Sequence, residues 1–212
     1  MSTDVTRDFA FGLPKAELHL HLEGTLEPDL KLVLARKNGV DIGQSTVEEV
    51  QATYQFNDLT SFLAVYYPAM DVLQDEDDFH DLAAAYFERA RANGVVRAEC
   101  FFDPQAHTSR GIAIETVIRG YYRAVVEARE AGLSADLILC FLRDMSAESA
   151  LETLQAALPY KDMFIGVGLD SDERDNPPTK FARVFELARE AGLHVTMHCD
   201  IDQIGSIDNI RA

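Results

Sequence analysis

Short apolar runs, each ending in an ionisable side chain and each separated from the next by a helical stretch, recur along these 212 residues. They cover residues 15–23, 95–102, 136–142, 163–170 and 194–199. The stretches between them place apolar residues at helical spacing over about 59–72, 76–93, 112–131, 147–157 and 179–190. Several of these helices stop at an Asn-Gly or Ala-Gly pair (Asn93-Gly94, Ala131-Gly132, Ala191-Gly192), where glycine accepts the left-handed cap. Pro28 suits the first turn of an earlier helix ending near Asn38-Gly39, residues 42–58 read as irregular or partly helical, and Ser206 suits the N-cap of a last helix. Strand-helix alternation with nearly continuous apolar strands specifies a parallel sheet covered by helices. The ionisable residues all fall at the strands' carboxyl ends, which is the active-site face of a (β/α)8 barrel. The predicted fold is therefore α/β, a TIM-type (β/α)8 barrel of which about five strand-helix units are present, as one domain over residues 1–212. A closed barrel needs eight strands, so the chain reads as a barrel cut after its fifth.

Composition narrows the partners. Lys and Arg total 19 against 36 Asp and Glu, a net charge of −17, which disfavours nucleic acid and anionic membrane surfaces. No stretch approaches the roughly 18 apolar residues that cross a bilayer. Cys100, Cys140 and Cys199 are an odd set without a CxxC pair, and the N-terminus lacks an apolar core of secretory length. The expected setting is a reducing cytoplasm, with a small molecule as ligand and homo-oligomerisation left open.

The run Lys15-Ala-Glu-Leu-His-Leu-His-Leu-Glu-Gly24 carries the chemistry. In an extended strand, residues two apart share a face with Cα atoms about 6.5–7 Å apart. His19 and His21 can thus bind one metal ion, while Leu18, Leu20 and Leu22 bury the opposite face. His198, at the polar end of the last strand, is the candidate third ligand. Three such ligands point to metal-assisted hydrolysis.

Beyond this run, the order Phe56-Asn-Asp-Leu-Thr-Ser-Phe-Leu-Ala-Val-Tyr-Tyr67, Arg97-Ala-Glu-Cys-Phe-Phe-Asp-Pro-Gln105, Phe141-Leu-Arg143, Val167-Gly-Leu-Asp-Ser171 and Pro177-Pro-Thr-Lys-Phe181 resembles the adenosine/adenine deaminase family along essentially the whole chain, and most closely its bacterial adenine deaminase branch. The resemblance implies a zinc-dependent aminohydrolase acting at C6 of a purine, with one Zn2+ per subunit. His19, His21 and His198 match its zinc ligands. Glu23 matches an acidic residue pointing into the substrate pocket, Phe62 and Tyr66 match a helix that lids it, and Asp170 and Ser171 match contacts to the base edge.

Two departures from the family pattern bear on activity. The family's Glu acid, in His-Ala-Gly-Glu, is replaced in His198-Cys-Asp-Ile-Asp202 by Ile201, which leaves Asp200 or Asp202 as candidate acid. A water-activating histidine and an Asp-Asp pair of the family would lie beyond Ala212. The expected substrate is adenine or an N6-substituted adenine. The alternatives are a catalytically incomplete or degenerate member that binds only metal or a partner, and an adenosine deaminase. Asp103 reads most simply as a turn residue before Pro104 and Arg143 as half of an ion pair, while His80, His107 and His194 are given no role.

Overall fold

A computed structural model describes residues 2–199 and 205–211. In chain order these form α1 (Ser2–Gly12), β1 (Lys15–His21), α2 (Pro28–Asn38), α3 (Val47–Ala52), α4 (Leu59–Ala69), α5 (Glu76–Ala92), β2 (Val95–Phe102), α6 (Pro104–Thr108), α7 (Ile114–Glu130), β3 (Ser134–Leu142), α8 (Ala147–Ala157), β4 (Gly166–Asp170), α9 (Ala182–Glu190), β5 (His194–Val195) and α10 (Ser206–Arg211). The five strands make one parallel sheet in the order β1-β2-β3-β4-β5. This is the curved wall of a partial (β/α)8 barrel, five strands wide. Strand β5 is shorter than the expected 194–199, but its pairing runs on: the Thr196 N–H donates to the Val167 carbonyl at 3.0 Å and the His198 N–H to that of Leu169 at 2.9 Å.

The sheet has two unlike faces. Ala98, Cys100 and Phe102 of β2, Leu137, Leu139 and Phe141 of β3, and Val167 and Leu169 of β4 point outward into the main core. Helices α5, α7, α8 and α9 close over them with Phe79, Leu82, Val117, Ile118, Leu154 and Val184. Gly120 lets α7 lie directly on α5, because a Cβ there would sit 2.5 Å from the Glu76 carbonyl oxygen. The inner face is mixed, with Arg97, Glu99 and Asp136 low in the wall and a small apolar layer of Phe101, Ile138 and Cys140 above them. Helix starts follow local chemistry: Thr46 with Glu49, Asp58 with Ser61 and Asp75 with Asp78 each form a capping box.

Strand β1 departs from a straight strand at the place that matters. Glu17 pairs with Ala98 and Leu20 with Cys100, so two residues of β1 oppose one of β2. This β-bulge turns both Leu18 and His19 inward. Leu18 is consequently 54% exposed on the inner face and does not bury the outer one as expected, a task left to Leu20 and Leu22. Glu17 points out and accepts a hydrogen bond from the Tyr86 hydroxyl at 2.8 Å. The strand then ends at His21 rather than residue 23, and Leu22–Thr25 wind into a 3-10 turn.

Candidate active site

The carboxyl ends of β1, β2 and β4 and the chain beyond β5 converge on a cavity of about 480 Å³. Its floor holds His19 and His21 of β1 and His198 beyond β5. The Nε2 atom of His198 lies 2.9 Å from Nε2 of His19 and 2.9 Å from Nε2 of His21. A neutral imidazole carries one N–H, so His198 cannot donate to both neighbours. Burial, with help from the charges of His21, His19 and Arg143, pushes the His198 imidazole down to about 4, so it is neutral near pH 7. Burial and His21 lower His19 as well. Three nitrogens, two from β1 and one from beyond β5, thus meet at one point. That donor set fits a divalent cation, and the chemistry matches nitrogen ligation of zinc.

The support beneath the histidines is layered. The Phe101 ring lies 4.8 Å from the His19 ring and stacks on His21 at 5.1 Å. His21 Nδ1 faces the Asp170 Oδ2 at 3.3 Å and the Asp103 Oδ1 at 4.0 Å. A carboxylate there fixes the ring's orientation and turns Nε2 toward the metal position. Asp103 and Asp170 are both buried and share a hydrogen bond. Burial, then the charges of Asp170 and Glu23, raises the Asp103 carboxyl well above the usual carboxylate range. The Cys140 thiol sits against Asp170 and is pushed up by burial. Gly168 makes room for it, since a Cβ at that position would lie 2.7 Å from the Cys140 sulfur. Arg143 holds the His198 backbone: its Nη1 donates to the His198 carbonyl at 3.0 Å, while Nε donates to the Asn176 carbonyl at 2.9 Å and Nη1 lies 3.5 Å from Glu173.

Phe62, Leu63, Tyr66 and Tyr67 of α4 form the apolar wall opposite the histidines, with the Phe62 and Tyr66 rings stacked at 5.2 Å. Among the described residues the buried Tyr66 hydroxyl has no hydrogen-bond partner, nor have Oδ1 of Asp103 and Oδ1 of Asp170. Helix α4 is tied across the cavity mouth by the Tyr67 hydroxyl, which donates to Ser171 Oγ at 2.9 Å, and by Arg174, which donates to Thr60 Oγ1 at 2.5 Å. Ser171 adopts φ +70 directly after β4, which turns its hydroxyl toward this latch at the cavity rim.

Glu23 is placed differently from expectation. The 3-10 turn carries it off the His19/His21 face into the interior, where it is 3% exposed and is not among the cavity lining residues. Its Oε1 accepts from the Asp103 N–H, from His107 Nε2 and from the Tyr121 hydroxyl, each at 3.1 Å. Burial works against its charge, but the hydrogen bonds from His107 and from the Asp103 N–H hold it below its ordinary value. Arg110 donates to His107 Nδ1 at 2.9 Å, which places the His107 proton on Nε2, toward Glu23. The sequence reading gave His107 and Asp103 no part in this network. A signal for it lay in Asp103-Pro104, because proline at a helix's first position marks the unexpected α6, which carries His107. The candidate acids Asp200 and Asp202, with Ile201 between them, lie outside the described residues.

Three converging histidines and buried carboxylates thus stand at the carboxyl edge of a parallel β/α wall, the architecture of a barrel-type candidate metal site. The chain belongs to the adenosine deaminase family, which its residues 14–202 match and which is metal-dependent. It is 57% identical over 187 residues to an adenine deaminase of Geotalea uraniireducens, covering 88% of this chain and 53% of that one. The crystal structure of an adenine deaminase from Arthrobacter aurescens superimposes with a TM-score of 0.89 at 48% identity, over 93% of this chain and 60% of that one. An amidohydrolase from Burkholderia ambifaria with bound Zn superimposes with a TM-score of 0.79 at 30% identity, over 93% and 55%. The chain therefore spans little more than half the length of these relatives.

Proposed function

We propose that the protein is a zinc-dependent hydrolytic deaminase of a free purine base, adenine or an N6-substituted adenine. The observation that carries this reading is the meeting of three imidazole nitrogens at the floor of an apolar, aromatic-walled cavity. A zinc ion held by His19, His21 and His198 supplies, when bound, a water that ionises near neutral pH. The rest falls to the chain's own groups. Asp170 orients His21 through Nδ1. Phe62 and Tyr66 offer flat apolar faces to a planar base and keep bulk water from the reacting carbon. Asp170 and Ser171, which both line the cavity, are the proposed contacts to the base edge. Asp200 or Asp202, directly after His198 in sequence, is the proposed proton donor to the ring.

Ammonia or methylamine release from adenine, N6-methyladenine and adenosine by the zinc-loaded protein tests this reading. The expected result is release from one of the two free bases, abolished by His198→Ala, with adenosine poorer. Release from adenosine alone, or from none of the three, would overturn it.

A further inference from the structure

The short helix α6 ties the wall of the cavity to its floor. Arg110, two residues past α6, shares its Nη2 hydrogens among the Met70 carbonyl at 3.0 Å, the Leu73 carbonyl at 3.1 Å and His107 Nδ1 at 2.9 Å. His107 in turn donates from Nε2 to Glu23 Oε1, the same oxygen that takes the Asp103 N–H. Met70 and Leu73 lie in the turn that follows α4, the apolar wall, and Glu23 stands two residues after His21 of the floor. A chain of hydrogen bonds thus runs from wall to floor through one imidazole.

This tie is buried while the wall is not. Met70, Leu73, Glu23 and His107 are each at most 3% exposed, whereas no residue of α4 itself is buried. The Phe79 ring stands perpendicular to the His107 ring at 4.8 Å and confines it. Among the described residues Glu23 Oε2 has no hydrogen-bond partner, so the side chain depends on the three bonds to Oε1. Removing the His107 donor leaves a buried carboxylate under-satisfied, which is costly. The Asp103 backbone shares that oxygen, and the Asp103 carboxyl faces His21 Nδ1 at 4.0 Å, so a shift of Glu23 reaches a metal ligand.

We propose that His107 is a positioning residue, which holds the root of α4 and the turn after His21 as one unit and so fixes the apolar wall relative to the metal position. The proposal rests on the zinc reading above. Zinc competition with a chromophoric chelator and amide hydrogen exchange test it on the parent chain, on His107→Leu, which has no donor for Glu23, and on His107→Gln, which keeps an N–H donor. His107→Leu should bind zinc at least about fivefold more weakly, while His107→Gln stays within about twofold of the parent. Exchange in His107→Leu should quicken over residues 59–73 and keep the parental rate in α8. Arg110→Leu releases the Met70 and Leu73 carbonyls and His107 Nδ1; it should quicken exchange over 59–73 and weaken zinc at least about threefold, and it carries the test if His107→Leu does not fold. Tight zinc in the parent with parental affinity in His107→Leu and Arg110→Leu would overturn this proposal alone, as would equal loss in His107→Leu and His107→Gln. Exchange quickened equally in α8 would reduce His107 to a merely structural part, and unchanged exchange over 59–73 would overturn the coupling to α4. Absence of tight zinc in the parent would remove the zinc reading and the proposal together.

Discussion

His198, Asp103 and Asp170 show how strongly position governs ionisation here. The His198 imidazole is kept neutral because burial and two neighbouring imidazoles oppose its proton, which leaves a lone pair ready for a metal. Asp103 moves the opposite way, since burial and the charges of Asp170 and Glu23 oppose its negative charge. Its folded value is raised above the unfolded one, so the folded chain keeps a proton that the unfolded chain has already lost. The stability this gives is present at low pH and is lost as pH rises from the ordinary carboxylate range through the raised value. Asp103→Asn keeps the shape without ionising. In metal-stripped protein the variant's thermal midpoint, relative to the parent's, should therefore improve from pH 5 to pH 8. A difference that is the same at both pH values would contradict this account of the carboxyl pair. Glu23 makes a related point: a second buried carboxylate, hydrogen-bonded to the Asp103 N–H, is held below its ordinary value because His107 and that backbone N–H face it.

At the scale of elements, the wall depends on close approach between neighbouring strands. Gly168 of β4 lies under Cys140 of β3, with room for a hydrogen but not a methyl group. Gly168→Ala should destabilise the chain by about 1–3 kcal/mol in denaturant unfolding. Adding Cys140→Ala should recover much of that loss, and a strictly additive double variant would mean that the two side chains do not compete for the same space. The strands and most helices were legible in the sequence because apolar runs, glycine caps and prolines are local signals. Residues 95–102 and 147–157 are matched to the residue by β2 and α8. The β-bulge at Leu18 and His19 was not legible, because a register shift is decided by the partner strand and not by the run itself. Glu23's turn into the interior follows from the 3-10 turn after β1, which the alternating pattern of Leu20, His21, Leu22 and Glu23 masks. His19, His21 and His198 could be named from sequence; their support by Phe101, Asp103 and Arg143 depends on β2 and β3 meeting β1 and the chain beyond β5.

For the molecule as a whole, five parallel strands leave β1 and β5 each paired on one side only among the described residues. Unpaired strand edges are templates for further pairing, and the inner face between them carries exposed Leu18. The 212-residue chain should therefore show a concentration-dependent mass above 23.6 kDa in light scattering; a constant 23.6 kDa would mean that these edges are protected. The net charge of −17 works against such association, so added salt should favour it. The central claim is that residues 179 and 177 positions apart in sequence meet at one metal position. Zinc titration of the stripped protein against a chromophoric chelator, alongside His19→Ala, His21→Ala and His198→Ala, tests it most directly. The account predicts one tight zinc per chain, and at least about tenfold weaker binding in each variant. Tight binding that survives His198→Ala, or no tight zinc in the parent, would contradict it.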